Sequence, residues 1–105
     1  MLVELGTVLV DTLGEPMKIK DKQGSEARDM CIRDILVRSI LSVEVDSKKQ
    51  KLNKVEMFKR GNLAKEIIDS ETIELDKEQL TLLEDVVAQV ENIWTATQIA
   101  NLLAV

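Results

Sequence analysis

The stretch Leu75-Asp76-Lys77-Glu78-Gln79-Leu80 decides how the chain is read. Asp76 is a good N-cap residue, and Gln79 three positions on completes a capping box. Each side chain then satisfies a backbone N–H left over at a helix start. Leu75 and Leu80 stand at the N′ and N4 positions of the accompanying hydrophobic staple. The same pattern recurs at Asn53 with Glu56, stapled by Leu52 and Met57, and at Thr95 with Gln98, stapled by Trp94 and Ile99. These signals predict helices from Asn53 to about Ser70, from Asp76 onward, and from Thr95 to the end of the chain.

The apolar periodicity names the faces these helices should bury. In the first, Phe58, Leu63, Ala64, Ile67 and Ile68 are expected inward. In the second the inward set is Leu80, Leu83, Val87 and Val90, and in the third Ile99, Leu102 and Leu103. Gly61 interrupts the first helix at a cost of about 1 kcal/mol relative to Ala. It permits close approach of a neighbouring helix or marks a kink. Thr72-Ile73-Glu74-Leu75 is a short extended connector. A fourth helix is expected from Ser25, its N-cap, to Val43, with Ile32, Ile35, Leu36, Ile40 and Val43 as one apolar stripe. Asp29 with Arg33 and Asp34 with Arg38 stand at i, i+4, each pair adding about 0.2–0.5 kcal/mol.

Residues 1–24 read differently. Val8, Leu9 and Val10 are β-prone, and Met17-Lys18-Ile19-Lys20 alternates with period two. Gly14-Glu15-Pro16 between them is a breaker cluster, and Asp21-Lys22-Gln23-Gly24 is a second turn signal. A loose hairpin or two short extended pieces is expected, with a short helix over 5–13 as the competing reading. The fold expected is therefore mainly α: a small four-helix domain, 1–105, with a short extended or β-hairpin N-terminal segment at 1–24.

Composition limits the function. A chain of 105 residues leaves room for one domain. Phe58 and Trp94 are the only aromatics, so the core must be aliphatic. The net charge of −5 argues against general affinity for nucleic acid or anionic membrane. A single cysteine, Cys31, forms no internal disulfide and fits a reducing compartment. Neither a signal peptide nor a membrane span is evident, so a cytoplasmic location is expected.

The chemistry-bearing residues are few. The sequence has no histidine, so the usual general base and the commonest metal ligand are missing. Cys31 has no imidazole to activate it and reads as a small buried hydrophobe. The acidic run Asp69, Glu71, Glu74, Asp76 and Glu78 lacks the ligand spacing and glycine of a calcium loop. No phosphate-binding glycine loop is present. We therefore expect no catalytic residues, no metal site and no cofactor.

The basic cluster Lys48, Lys49, Lys51, Lys54, Lys59 and Arg60 is the sharpest local asymmetry, followed by an acidic stretch from Glu66 to Glu91. It reads either as a solvated face or as a patch for an acidic partner. The uncharged tail from Ile93 to Val105, with Trp94, is either core or a partner surface. The candidate partner-binding residues are these cations and Trp94.

The order of motifs resembles a class of small proteins encoded by tailed bacteriophages and prophages. Those proteins show a G-[KE]-P-[IM] turn, matched by Gly14-Glu15-Pro16-Met17, and a DVLVxALL-like helix, matched by Ile32-Arg33-Asp34-Ile35-Leu36-Val37-Arg38-Ser39-Ile40-Leu41. A KRxxLAxxI-like helix is matched from Lys59 to Ile67, and a VxLTxEE-like cap from Ile73 to Gln79. Arg38 departs from the small polar residue common at its position. Many members have no assigned function, so the resemblance implies an origin more than an activity and carries no site residues over. The function expected is a non-enzymatic accessory protein that binds a protein partner, such as a host factor. The alternatives are a morphogenesis factor, such as a tail-assembly chaperone or head–tail component that forms homo-oligomers, and a nucleic-acid-binding regulator.

Overall fold

Short antiparallel strand pairs precede and interleave with four helices in the computed structural model, which describes residues 1–20, 24, 26–42 and 54–103. The order is β1 (Leu2–Glu4), β2 (Lys18–Ile19), β3 (Arg28–Asp29), α1 (Ile32–Ser42), α2 (Lys54–Asp69), β4 (Thr72–Glu74), α3 (Lys77–Val90) and α4 (Ile93–Leu103). The protein is mainly α, as its periodicity predicts.

The connector between α2 and α3 does more than link them. It forms β4, which pairs antiparallel with β1 in the register Val3↔Ile73. Alternation sends Val3 and Ile73 into the core and their neighbours outward. The β-prone residues Val8 and Val10 form bridges to Cys31 and Pro16, so the hairpin reading holds there and the helix over 5–13 does not. Gly14 turns that hairpin at φ +83°, a conformation that favours glycine. β2 pairs with β3 in a second antiparallel ladder.

This second ladder moves the start of α1. The helix begins at Ile32, not at Ser25, because residues 28–31 are spent on pairing. Met30 donates its N–H to Met17 O at 2.7 Å and receives the Leu9 N–H at 2.9 Å. The free N–H groups at the start of α1 turn to the same segment: Ile32 donates to Thr7 O and Arg33 to Leu5 O. Asp34 completes the start by accepting the Cys31 N–H at 2.9 Å. Ser25 and Val43 lie outside the described residues, and the stripe Ile32, Ile35, Leu36 and Ile40 is buried as expected.

The remaining starts divide. At α3 the capping box is complete: Gln79 N–H donates to Asp76 Oδ1 at 2.8 Å, and Asp76 N–H to Gln79 Oε1 at 3.0 Å. At α4 the cap is Asn92, whose Oδ1 accepts the Thr95 N–H at 2.9 Å. Thr95 is therefore inside the helix and fully buried, and Gln98 serves another purpose described below. Asn53 and Leu52 lie outside the described residues.

One hydrophobic cluster takes side chains from every helix and from the extended segments, including Leu5, Leu9, Ile35, Leu36, Ile67, Leu75, Leu83 and Ile99. In α2 only Leu63, Ala64 and Ile67 are buried, and the expected inward residues Phe58 and Ile68 face out. In α3 Val86 joins Leu83 and Val87, while Leu80 and Val90 are half-buried. In α4 Thr95, Ile99 and Leu103 are buried and Leu102 is partly exposed. No helix among the described residues is long and apolar enough to cross a membrane.

Candidate functional site

The two i, i+4 ion pairs expected on α1 are replaced by contacts between distant parts of the chain. Arg28 grips Asp34 with both terminal nitrogens, at 2.9 and 2.7 Å, and Lys18 pairs with Asp29. Partial burial works against the charged form of Asp34. The Arg28 guanidinium, the Cys31 N–H and the Cys31 thiol outweigh it and hold the carboxyl below its ordinary value of 3.8. Arg33 reaches across to the end of α2, where Nε donates to Ile67 O at 3.2 Å and Nη2 to Ser70 O at 2.5 Å. These are carbonyls that a helix C-terminus leaves without partners, and a cation there also complements the helix dipole. Arg38 pairs through two nitrogens with Glu91, whose side chain is only 6% exposed.

These arginines ring a shallow dish of about 430 Å³. Lys20, Arg28, Arg33 and Arg38 supply its charge, Asp34 its one carboxylate, and Ile19, Val37 and Ile68 its apolar surface. No run of basic residues in the sequence announces it, because the cations come together from three separate stretches: β3, α1 and the residue after β2. The signal available was Arg33 and Arg38 flanking Val37 on the outward side of a helix.

The basic cluster seen in the sequence is only partly visible. Lys48, Lys49 and Lys51 lie outside the described residues. Lys54 is exposed at the start of α2. Lys59 reaches Glu78 at 3.3 Å, and Arg60 Nε lies 3.5 Å from Glu56 one turn back. That contact is an ion pair but not an aligned hydrogen bond, and Arg60 Nε and Nη1 are enclosed with no acceptor among the described residues. Trp94 sits elsewhere, donating its indole N–H to Val10 O at 2.8 Å. Gln98 joins it there, donating to Val10 O and accepting the Val10 N–H. Trp94 thus ties α4 to the N-terminal segment and is not grouped with the α2 cations.

A larger open groove of about 670 Å³ lies between α2 and the start of α3. Leu63 and Leu82 are its apolar residues, and Glu56, Lys59, Asp76, Lys77, Glu78 and Asp85 mix both signs of charge around it. Among the described residues no group of three or more Cys, Asp or Glu is placed to hold a metal ion. Cys31 is buried, with Sγ 3.3 Å from Asp34 Oδ2. The first half of α2, from Lys54 to Asn62, contains no buried residue. It nonetheless carries Val55 at 76%, Met57 at 43% and Phe58 at 63% exposure. No protein-family model, curated protein or solved structure matches the chain.

Proposed function

We propose that this protein acts by binding a protein partner and catalyses no reaction, as an accessory protein of a phage or prophage working in the host cytoplasm. The observation that carries the binding reading is the exposed half of α2. Val55, Met57 and Phe58 contribute nothing to the core, and large apolar side chains grouped on one exposed element mark interaction surfaces. The chemical inventory points the same way, since the sequence has no histidine and the lone thiol is enclosed. The phage setting rests on the resemblance of the sequence motifs. Inhibition or sequestration of a host factor is the activity that such a surface serves most directly.

The test is an affinity pull-down from bacterial lysate with size-exclusion mass measurement. The expected result is a stoichiometric protein complex that a Val55→Ser and Phe58→Ser variant fails to form. Turnover of a small-molecule or nucleic-acid substrate by the purified protein would overturn the reading.

A further inference from the structure

We infer that the outward seam between α1 and α2 docks an acidic amphipathic helix, an inference that rests on the protein-binding reading and names the partner's chemistry. The geometry begins with Arg33. Its bonds to Ile67 O and Ser70 O place the start of α1 beside the end of α2, and the two helices pack against each other. Val37 and Ile68 meet in the same dish, which fixes the side of each helix that faces outward along the seam. From there Leu41 follows Val37 by one turn on α1. On α2 the residues Lys54, Phe58, Gly61, Lys65 and Ile68 follow one another at four and three, all of them exposed. That spacing makes one continuous line along the helix. From Phe58 to Ile68 it runs about 15 Å at 1.5 Å per residue, the length of nearly three helical turns. Such a strip suits the apolar stripe of a partner helix lying along it. A compact small molecule would fill only the dish.

Gly61 supports the same occupant. A glycine inside a helix is less stable than alanine there. A Cβ built at Gly61 meets nothing within 4 Å, so among the described residues no contact needs the missing side chain. On an exposed line of large residues it leaves a gap where a second backbone approaches closely.

Charge then selects the partner. The chain carries a net −5, yet four of its 14 cations, Lys20, Arg28, Arg33 and Arg38, line the dish. Lys54 and Lys65 are exposed on the α2 line, with the carboxylates Glu66 and Asp69 exposed beside Lys65. The one carboxylate in the dish, Asp34, is already held by Arg28. Arg33 and Arg38 each use Nε and Nη2 in their own contacts, leaving Nη1 to donate to an incoming carboxylate. A nucleic acid fits less well, because the acidity of the remaining surface repels a long polyanion.

The probe is a fluorescein-labelled synthetic helical peptide with leucines at heptad a and d positions and glutamates flanking them, titrated into the full chain by anisotropy. A version with lysine for glutamate and a single-stranded oligonucleotide are run in parallel. The glutamate peptide is expected to bind about tenfold more tightly than either, and to weaken several-fold between low and high salt. Lys20→Glu combined with Lys65→Glu is expected to cost about tenfold in affinity. Gly61→Leu, whose Cβ meets open space in the folded chain, is expected to abolish binding with the unfolding midpoint no lower than that of the natural protein. Lys77→Glu in the other groove leaves the affinity as it was. No binding of the glutamate peptide overturns the inference, as does binding that survives Gly61→Leu or preference for the oligonucleotide. If the lysate pull-down still yields a complex that Gly61→Leu does not disturb, this seam is wrong and the protein-binding reading stands. With no complex in any pull-down, the protein-binding reading itself fails.

Discussion

The two halves of α2 belong to one uninterrupted helix and meet opposite surroundings. From Leu63 onward the helix is held on three sides: Leu63, Ala64 and Ile67 lie in the core, Arg33 takes its last carbonyls, and β4 follows it into a ladder with β1. From Lys54 to Asn62 the apolar residues Val55, Met57 and Phe58 face outward, with the ion pairs Lys59–Glu78 and Arg60–Glu56 beside them. Helix propensity does not separate them, because both halves are made of ordinary helix formers around one glycine. What separates them is tertiary burial, and a surface kept apolar without serving the core is available for a partner.

The sharpest way to break this contrast is by truncation within the buried half. Ile67 is fully enclosed, so Ile67→Ala is expected to lower unfolding free energy by about 2–5 kcal/mol in urea titrations. Next in size is the anchor at the start of α1, against which that half packs. Arg28→Ala leaves the partly buried Asp34 carboxylate without its bidentate partner, at a cost of about 1–2 kcal/mol after allowance for the exposure of Arg28.

The same anchor gives a pH dependence of definite sign. The folded-state pKa of Asp34 lies below its unfolded value, so its stabilisation is complete above the ordinary 3.8. It is lost as pH falls from there through the folded-state pKa. Acid titration of the unfolding midpoint should show this limb in the natural protein and a reduced one in Arg28→Ala. Gly61→Ala works in the other direction. With open space at its Cβ and ordinary helical backbone, it should raise stability by about 0.5–1 kcal/mol. The smallest effect belongs to Lys59→Ala, which removes an exposed ion pair and should change stability by less than about 0.5 kcal/mol.

The same division between local and distant contacts governs what could be read from the sequence. The box at Asp76 and Gln79 was legible because all of its atoms lie within one turn. The box expected at Thr95 and Gln98 lies three residues beyond the true cap, since Asn92 with Thr95 satisfies the same spacing. The Gln98 amide is instead drawn away by the backbone of Val10, 88 positions distant. The start of α1 moves for a similar reason: pairing of residues 28–31 with the N-terminal segment consumes the turn that a longer helix would have used. Periodicity identifies Ile32, Ile35, Leu36 and Ile40 as the buried stripe of α1, whereas on α2 it points Phe58 and Ile68 inward because apolar residues there occupy more of the circumference than one face can bury. The basic dish left no trace as a motif. Its cations come from the residue after β2, from β3 and from α1, and only the folded chain makes them neighbours.

The central claim, that the first half of α2 is apolar surface and not core, is tested most directly by urea unfolding of the triple variant Val55→Ser, Met57→Ser and Phe58→Ser. The expected result is a loss of no more than about 1 kcal/mol with an unchanged m-value, as for exposed positions. A loss of about 3 kcal/mol or more would place these side chains in the core and contradict the account.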